Sequence, residues 1–129
     1  MPVVQITMLE PPEVNGRPFD WSRATTMIAR VVATAFECDP GQVWCTVALV
    51  PPGGYALGAV TPECQPADSH DPIVRIIAYT GRDEATIARA LGAAADAACG
   101  AFGLEPGTAF VVYEELKPGR VYIGGRVRG

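Results

Sequence analysis

The chain has 129 residues, a length typical of one domain with its own hydrophobic core. Apolar residues make up 49% of it and charged residues 19%, a balance that excludes intrinsic disorder. The formal net charge of -4 gives no electrostatic basis for binding nucleic acid. All the basic residues but Lys117 are arginines, whose forked guanidinium groups suit the recognition of carboxylates.

The N-terminal sequence and the cysteines indicate a cytoplasmic protein. No apolar run approaches the ~20 residues of a membrane-spanning helix, and no basic segment typical of a signal peptide opens the sequence. We therefore expect no membrane partner. The four cysteines form no CxxC pair, and the one histidine, His70, lies in a predicted linker. This pattern predicts reduced thiols and neither a metal site nor a cofactor. The cysteines are Cys38, Cys45, Cys64 and Cys99.

The first half of the chain reads as strand, helix, strand. An apolar run predicts a buried strand at Val3–Leu9. A helix follows, with Asp20 or Ser22 as its N-cap, and a Pro-Gly turn separates it from a strand at 42–50. Its apolar stripe has the i, i+3, i+4, i+7 spacing and consists of Ile28, Val31, Val32, Ala35 and Phe36.

The second half repeats this order after a polar, proline-rich linker at 61–71. A strand is predicted at Ile73–Tyr79, a helix capped by Asp83 follows, and a second Pro-Gly turn leads to a strand at 108–115. The apolar stripe of this helix consists of Ile87, Ala90, Leu91, Ala94 and Ala98.

The two halves are also similar residue by residue, which indicates an internal repeat. With a shift of 66 residues, Phe36 matches Phe102, Trp44 matches Phe110 and Gly58 matches Gly124. With a shift of 70 residues, Pro2 matches Pro72, and the pair Gly16-Arg17 matches Gly81-Arg82 with a shift of 65. We therefore predict one domain, 1–129, made of two repeats at about 2–60 and 72–129.

This arrangement predicts an α/β (α+β) fold. A strand–helix–strand unit makes a right-handed crossover between parallel strands, so two units give a four-stranded sheet with two helices on one face. The other face stays uncovered. Because the strands look apolar at nearly every position, we expect that face to be buried by another copy of the chain.

Three segments resemble the 4-oxalocrotonate tautomerase family. They are the opening PVVQITMLE, the second opening PIVRI with the Gly81-Arg82 pair after it, and the ending GRVYIGG, which is similar to a closing glycine-rich hairpin. As two tandem copies, the chain resembles a fused member of the tautomerase superfamily. The resemblance implies the tautomerase/MIF-like fold and a homotrimer.

The resemblance also implies a chemistry that depends on Pro2. Removal of Met1 would convert the Pro2 nitrogen into a secondary amine, whereas the nitrogen of Pro72 is always an amide. An α-amino group titrates at about 7.7–8.0, and burial and nearby arginines lower that value. The neutral amine can take a proton from the carbon next to a carbonyl and return it elsewhere. The implied activity is an isomerase, a keto-enol tautomerase of a small unsaturated 2-keto or 2-hydroxy acid.

Three arginines are candidates for binding the substrate carboxylate. The resemblance places Arg82, and less directly Arg17, at a Gly-Arg position that binds carboxylate in the family. Arg75 lies within a predicted apolar strand, where a charge is costly unless it is paired or lines a site.

Four aromatic residues complete the candidate site. Trp44 and Phe110 stand where the family prototype has a second arginine, which favours a substrate with one acid group and an apolar or conjugated body. Tyr113 and Tyr122 are candidate hydrogen-bond donors to an enolate.

Two alternative functions remain open. A hydratase, dehalogenase or decarboxylase of a small unsaturated acid would use the same proline together with an extra carboxylate. Glu114 on the second closing strand is the candidate for that carboxylate, beside Asp39 at the Pro40-Gly41 turn, although Glu114 and Glu115 also read as a solvated strand end. If Met1 is retained, the chain is instead a non-catalytic oligomeric binding protein.

Overall fold

The strands and helices follow one another in the predicted order. The structure is a computed structural model that describes residues 1–13 and 15–128. A short 3-10 turn, Pro40–Gln42, precedes the second strand. The elements are β1 (Val3–Leu9), α1 (Trp21–Phe36), β2 (Trp44–Val50), β3 (Ile73–Tyr79), α2 (Glu84–Phe102), β4 (Phe110–Leu116), β5 (Val121–Ile123) and β6 (Arg126–Arg128).

The four long strands form one sheet in the order β2-β1-β3-β4. The pairs β1/β2 and β3/β4 are parallel, which confirms the predicted parallel pairing within each half. The central pair, β1 and β3, is antiparallel, with Val3 opposite Ile77 and Gln5 opposite Arg75. β5 and β6 form a separate hairpin at the C-terminal end.

The helix starts are fixed by the predicted aspartates. Asp20 accepts a hydrogen bond from the backbone N–H of Arg23 at 3.0 Å, and Asp83 accepts one from Thr86 at 2.8 Å. Each bond satisfies a donor that the first helical turn leaves unpaired. Ser22, the other candidate for the first cap, lies within α1.

The closing strands begin two residues later than predicted. Before β2, the Asp39 carboxylate accepts a hydrogen bond from the N–H of Gly41 at 2.8 Å and caps the 3-10 turn, so strand geometry starts only at Trp44. β4 starts at Phe110 and continues one residue beyond the prediction, to Leu116.

The core lies between the helices and one face of the sheet. Val4, Ile6 and Met8 of β1 alternate along the strand and point to this face, where they are fully buried. The matching positions of β3 are buried in the same way. Ala90 and Ala94 of α2 are fully buried as well, and their small side chains let α2 lie close to the sheet and to α1.

The opposite face of the sheet is uncovered, as predicted, but it is less apolar than expected. Its positions include the exposed polar residues Gln5, Thr7 and Arg75 in the two central strands. Large apolar side chains occur mainly on the outer strands, where Trp44 is 51% and Phe110 is 56% exposed. The prediction of strands apolar at nearly every position was therefore wrong for the centre of this face.

The linker between the halves is a packed segment. Gln65 is only 3% exposed; its Oε1 accepts a hydrogen bond from the N–H of Leu9 at 3.2 Å, and its Nε2 donates to the carbonyl of His70 at 2.7 Å. His70 is buried too, with its ring nitrogens 3.0 Å from the Ser69 hydroxyl and 2.9 Å from the Val60 carbonyl oxygen. Hydrogen bonds of the Gln65 side-chain amide thus attach the linker to the end of β1.

Replacing Gln65 should destabilise the fold. The change Gln65→Leu keeps the approximate volume but leaves the Leu9 N–H and the His70 carbonyl without these partners, and we expect a loss of about 1–3 kcal/mol in the free energy of unfolding. Urea denaturation measures this difference. Glu63→Leu, an exposed position of the same linker, is the control and should change stability by less than about 0.5 kcal/mol. Equal changes of the free energy of unfolding in the two variants would contradict a structural role for the hydrogen bonds of the Gln65 side chain.

Candidate active site

The N-terminus lies at a cavity of about 450 Å³. Because β1 runs antiparallel to β3, with Val3 opposite Ile77, residues before Val3 reach the end of β3. The parallel strand β2 begins at the same edge, and the β5–β6 hairpin lies beside it. The cavity is lined by Met1, Gln42, Tyr79, Ile123 and Arg128.

Pro2 follows Met1 and does not itself line this cavity. Its side chain is fully buried, and its carbonyl oxygen accepts a hydrogen bond from the N–H of Trp44 at 3.0 Å. Pro72 is held in the same way, with its carbonyl 3.0 Å from the N–H of Phe110. In the intact chain the nitrogen of Pro2 is an amide, and Met1 occupies the side that faces the cavity.

The surroundings of the N-terminus disfavour a positive charge on it. Partial burial, followed by the positive charge of Arg82, lowers the pKa of the Met1 α-amino group below its ordinary value. Cys38 acts weakly in the opposite direction on this pKa. An amine at this end of the molecule is therefore shifted toward its neutral, basic form.

Arg82 is held beside the N-terminus by two contacts. The carbon at the centre of its guanidinium group lies 4.3 Å from the centroid of the Phe36 ring, at the end of α1. Its Nη1 donates to the carbonyl of Tyr79 at 3.3 Å. A cation stacked on a buried aromatic ring keeps a fixed position. Phe36 was predicted only as a core residue, and nothing in its apolar stripe indicated this second contact.

Arg17, the counterpart of Arg82, has a different environment. It lines a separate cavity of about 520 Å³ that does not include Met1. Phe102, the counterpart of Phe36, packs against Phe19 and Trp21, with ring centroids 5.7 Å and 6.0 Å apart, rather than against a cation. The structure thus brings Arg82, and not Arg17, to the N-terminus.

Arg75 lies on the uncovered face of the sheet and is paired there. Its Nη2 is 2.7 Å from Glu114, and its Nη1 donates to Gln5 at 3.1 Å. We expect a charge within this strand only if it is paired or lines a site, and Arg75 is paired. Neither Arg75 nor Glu114 lines the Met1 cavity, and Asp39 is engaged in its 3-10 turn. The described residues that line the cavity include no carboxylate.

The candidate aromatic residues are not brought together. Trp44 and Phe110 begin the two outermost strands of the sheet, and Phe110 lines a different cavity, beside His70. Tyr122 is 71% exposed on β5. Tyr113 lies inside, with its ring centroid 6.2 Å from that of Phe36, and its buried hydroxyl has no hydrogen-bond partner among the described residues.

Sequence reasoning missed most residues that line the cavity. Gln42 was predicted as strand and Tyr79 as the end of one, and Arg128 was not singled out. The glycine-rich ending was recognised as a hairpin, but its position beside the N-terminus depends on the antiparallel pairing of β1 with β3. That pairing joins the two repeats, so the sequence of either repeat alone does not predict it.

Within residues 1–13 and 15–128, the structure contains neither a cluster of metal-binding side chains nor a membrane-spanning helix. No group of three or more His, Cys, Asp or Glu side chains could hold a metal ion there. No helix of that part of the chain is long and apolar enough to cross a membrane. The four cysteines are free thiols, and burial raises the pKa of Cys45 to about 11, so its thiol stays protonated at neutral pH.

Comparisons with known proteins connect this geometry to a fold. A scan against protein-family models finds no match, and neither does a search of curated proteins. Among solved structures, the asymmetric trimer of a wild-type fused 4-OT superposes with a TM-score of 0.80 at 14% identity, covering 97% of this chain and 94% of that chain.

Two further structures with the same fold are named for other activities. A member of the cis-3-chloroacrylic acid dehalogenase family has a TM-score of 0.74 at 12% identity, over 98% of this chain and 83% of that one. A malonate semialdehyde decarboxylase, inhibited by 3-bromopropiolate, has a TM-score of 0.65 at 15% identity, over 95% and 88%. This chain therefore has the fold of the fused 4-OT structures over nearly its whole length.

Proposed function

We propose that this chain is an enzyme, an isomerase that moves a proton within a small unsaturated 2-keto or 2-hydroxy acid and uses Pro2 as its acid and base. The observation that carries the proposal is the position of the N-terminus, which opens on a cavity and lies within the electrostatic influence of Arg82. The fold shared with fused 4-OT proteins supports the same activity.

The proposed base is formed when Met1 is removed, because the Pro2 nitrogen then becomes a secondary amine. The buried ring of Pro2 and the hydrogen bond that its carbonyl accepts from the Trp44 N–H hold this nitrogen rigidly, next to the position of Met1 at the cavity. Burial and the charge of Arg82 favour the neutral amine, as they do for the amine of Met1. A neutral amine can accept a proton from a carbon acid at physiological pH.

The proton transfer would then proceed in two steps. From a 2-keto acid, the Pro2 amine removes a proton from the carbon next to the carbonyl; from a 2-hydroxy acid such as 2-hydroxymuconate, it removes the proton of the enol hydroxyl. Either loss leaves a conjugated enolate and a protonated amine. The same proton is then delivered to a carbon of the conjugated system other than the atom it left, and the double bond shifts without net gain or loss of atoms. The positive charge of Arg82, close enough to the N-terminus to lower the pKa of its amine, favours release of the proton from the protonated amine in the second step. The cavity volume is within the range that small-molecule sites occupy.

The proposal includes a homotrimer in the cytoplasm, with two repeats in each chain. The fused 4-OT that superposes on this chain is a trimer. An uncovered sheet face with exposed Trp44 and Phe110 supports burial by another copy. Free thiols fit a reducing compartment. The direct partner is a small carboxylate substrate, bound without cofactor or metal; binding of nucleic acid or membranes is not part of the proposal.

The same geometry gives less support to two alternative functions. Hydration, dehalogenation and decarboxylation are supported by the likeness to a dehalogenase-family member and a decarboxylase. However, the described lining of the Met1 cavity offers no carboxylate to activate water, because Glu114 is paired with Arg75 elsewhere. A non-catalytic binding protein would retain Met1, which the mass of the native protein decides.

Replacing Pro2 should abolish most of the activity. The intact mass of the native protein should lack one methionine, and Pro2→Ala should lower kcat/KM for 2-hydroxymuconate and phenylenolpyruvate by about 100-fold or more. Pro72→Ala is the matched control, because Pro72 has the same burial and backbone bond but no free amine. Native protein of full-length mass, or equal rates for the Pro2 variant and the unaltered chain, would contradict the proposal.

Replacing Phe36 should change how the activity depends on pH. In Phe36→Leu the guanidinium of Arg82 loses its ring contact, so the pKa of the Pro2 amine should rise and the acidic limb of the kcat/KM profile should move to higher pH. Phe36→Tyr keeps an aromatic face and should leave the limb in place. Phe102→Leu removes an equivalent buried ring that contacts no arginine. A shift in Phe102→Leu equal to that in Phe36→Leu would assign the effect to packing instead.

A further inference from the structure

The Met1 cavity holds a cation that no sequence motif singled out. Arg128 lines it together with Met1. Arg82 lowers the pKa of the N-terminal amine but does not line the cavity. Arg82 is also engaged, because Phe36 lies against its guanidinium and the backbone carbonyl of Tyr79 accepts a hydrogen bond from its Nη1. A molecule that occupies the cavity would therefore lie against Arg128 but not against Arg82.

Arg128 is fixed by its own hairpin. Its Nε donates to the carbonyl of Ile123 at 3.2 Å, and its backbone carbonyl accepts a hydrogen bond from Gly119 at 2.7 Å. Within residues 1–13 and 15–128, the Nε bond is the single hydrogen bond of this side chain, so Nη1 and Nη2 have no protein acceptor there. A guanidinium with open donors at a cavity without carboxylates is suited to bind an anion.

Gly124 provides the space for this guanidinium. A β-carbon at Gly124 would lie 2.7 Å from Nη2 of Arg128, closer than side chains approach one another. The neighbouring Gly125 also has a positive φ, of 83° against 64° for Gly124, but a β-carbon there would meet nothing within 4 Å. The hairpin turn thus contains two glycines with similar backbone requirements, and only at Gly124 would a β-carbon force the guanidinium of Arg128 to shift.

We propose that Arg128, rather than Arg82, binds the carboxylate of the substrate in the Met1 cavity, and that Gly124 is the position that lets it do so. Arg82 acts mainly on the amine. The inference rests on the proposed function for the chemical class of the ligand, a small unsaturated acid. It assigns the C-terminal hairpin to substrate binding and the residues after β3 to tuning the base.

Binding of cis,cis-muconate by calorimetry tests this assignment without turnover, because this diacid lacks the 2-hydroxy group of 2-hydroxymuconate. Loss of a charge-assisted hydrogen bond should raise the Kd of Arg128→Gln by about 10- to 100-fold. Arg128→Lys should bind with intermediate affinity. Arg120→Gln, an exposed arginine before the same hairpin, should bind like the unaltered chain. Gly124→Ala should weaken binding and Gly125→Ala should not.

The kinetic readout separates the two arginines. Arg128→Gln should raise KM for 2-hydroxymuconate and leave the acidic limb of the pH profile in place, whereas Arg82→Gln should move that limb to higher pH. Equal muconate affinity in Arg128→Gln and the unaltered chain, equal losses in Arg120→Gln, or equal losses in the two glycine variants would overturn the inference. Muconate binding that depends on Arg128 in a protein without turnover would instead contradict the proposed function and uphold the inference.

Discussion

The antiparallel pairing of β1 with β3 is the contact on which the rest of the structure depends. It joins two strand–helix–strand units into one sheet, and its register, with Val3 opposite Ile77, carries the N-terminus to the end of β3. That end is where Tyr79 and Arg82 lie. The buried side chains of the two central strands make a shift in register costly, because a slip of one residue would turn the apolar residues to the uncovered face.

The two halves are similar in architecture but different in what surrounds their first prolines. Phe36, at the end of α1, contacts the guanidinium of Arg82. Phe102, at the end of α2, packs against Phe19 and Trp21 instead. The N-terminus belongs to one half of the chain, and Arg82, the arginine whose charge lowers the pKa of the N-terminal amine, belongs to the other. Pro72, with its nitrogen inside the chain, cannot act as a base, and the aromatic packing around Phe102 replaces the cation there by apolar contacts.

Local patterns predicted the framework because local rules govern it. The strand at Val3–Leu9, the aspartate caps Asp20 and Asp83 and the parallel crossovers all follow from residues close together in the sequence. The Arg128 site could not be predicted in this way, because it needs the central strand pairing and the position of a distant hairpin. The stacking of Arg82 on Phe36 joins two elements of different halves, and a helix stripe does not reveal which of its residues meets a cation.

A titration of the Pro2 nitrogen tests the central claim most directly. In native protein labelled with ¹⁵N-proline, Pro2 would be the one nitrogen among the 12 prolines able to titrate as an amine. The account predicts such a signal, with a pKa below that of an ordinary prolyl amine, which rises when Arg82 is replaced by glutamine. A spectrum in which all proline nitrogens behave as amides, or an amine whose pKa is ordinary and indifferent to Arg82, would contradict it.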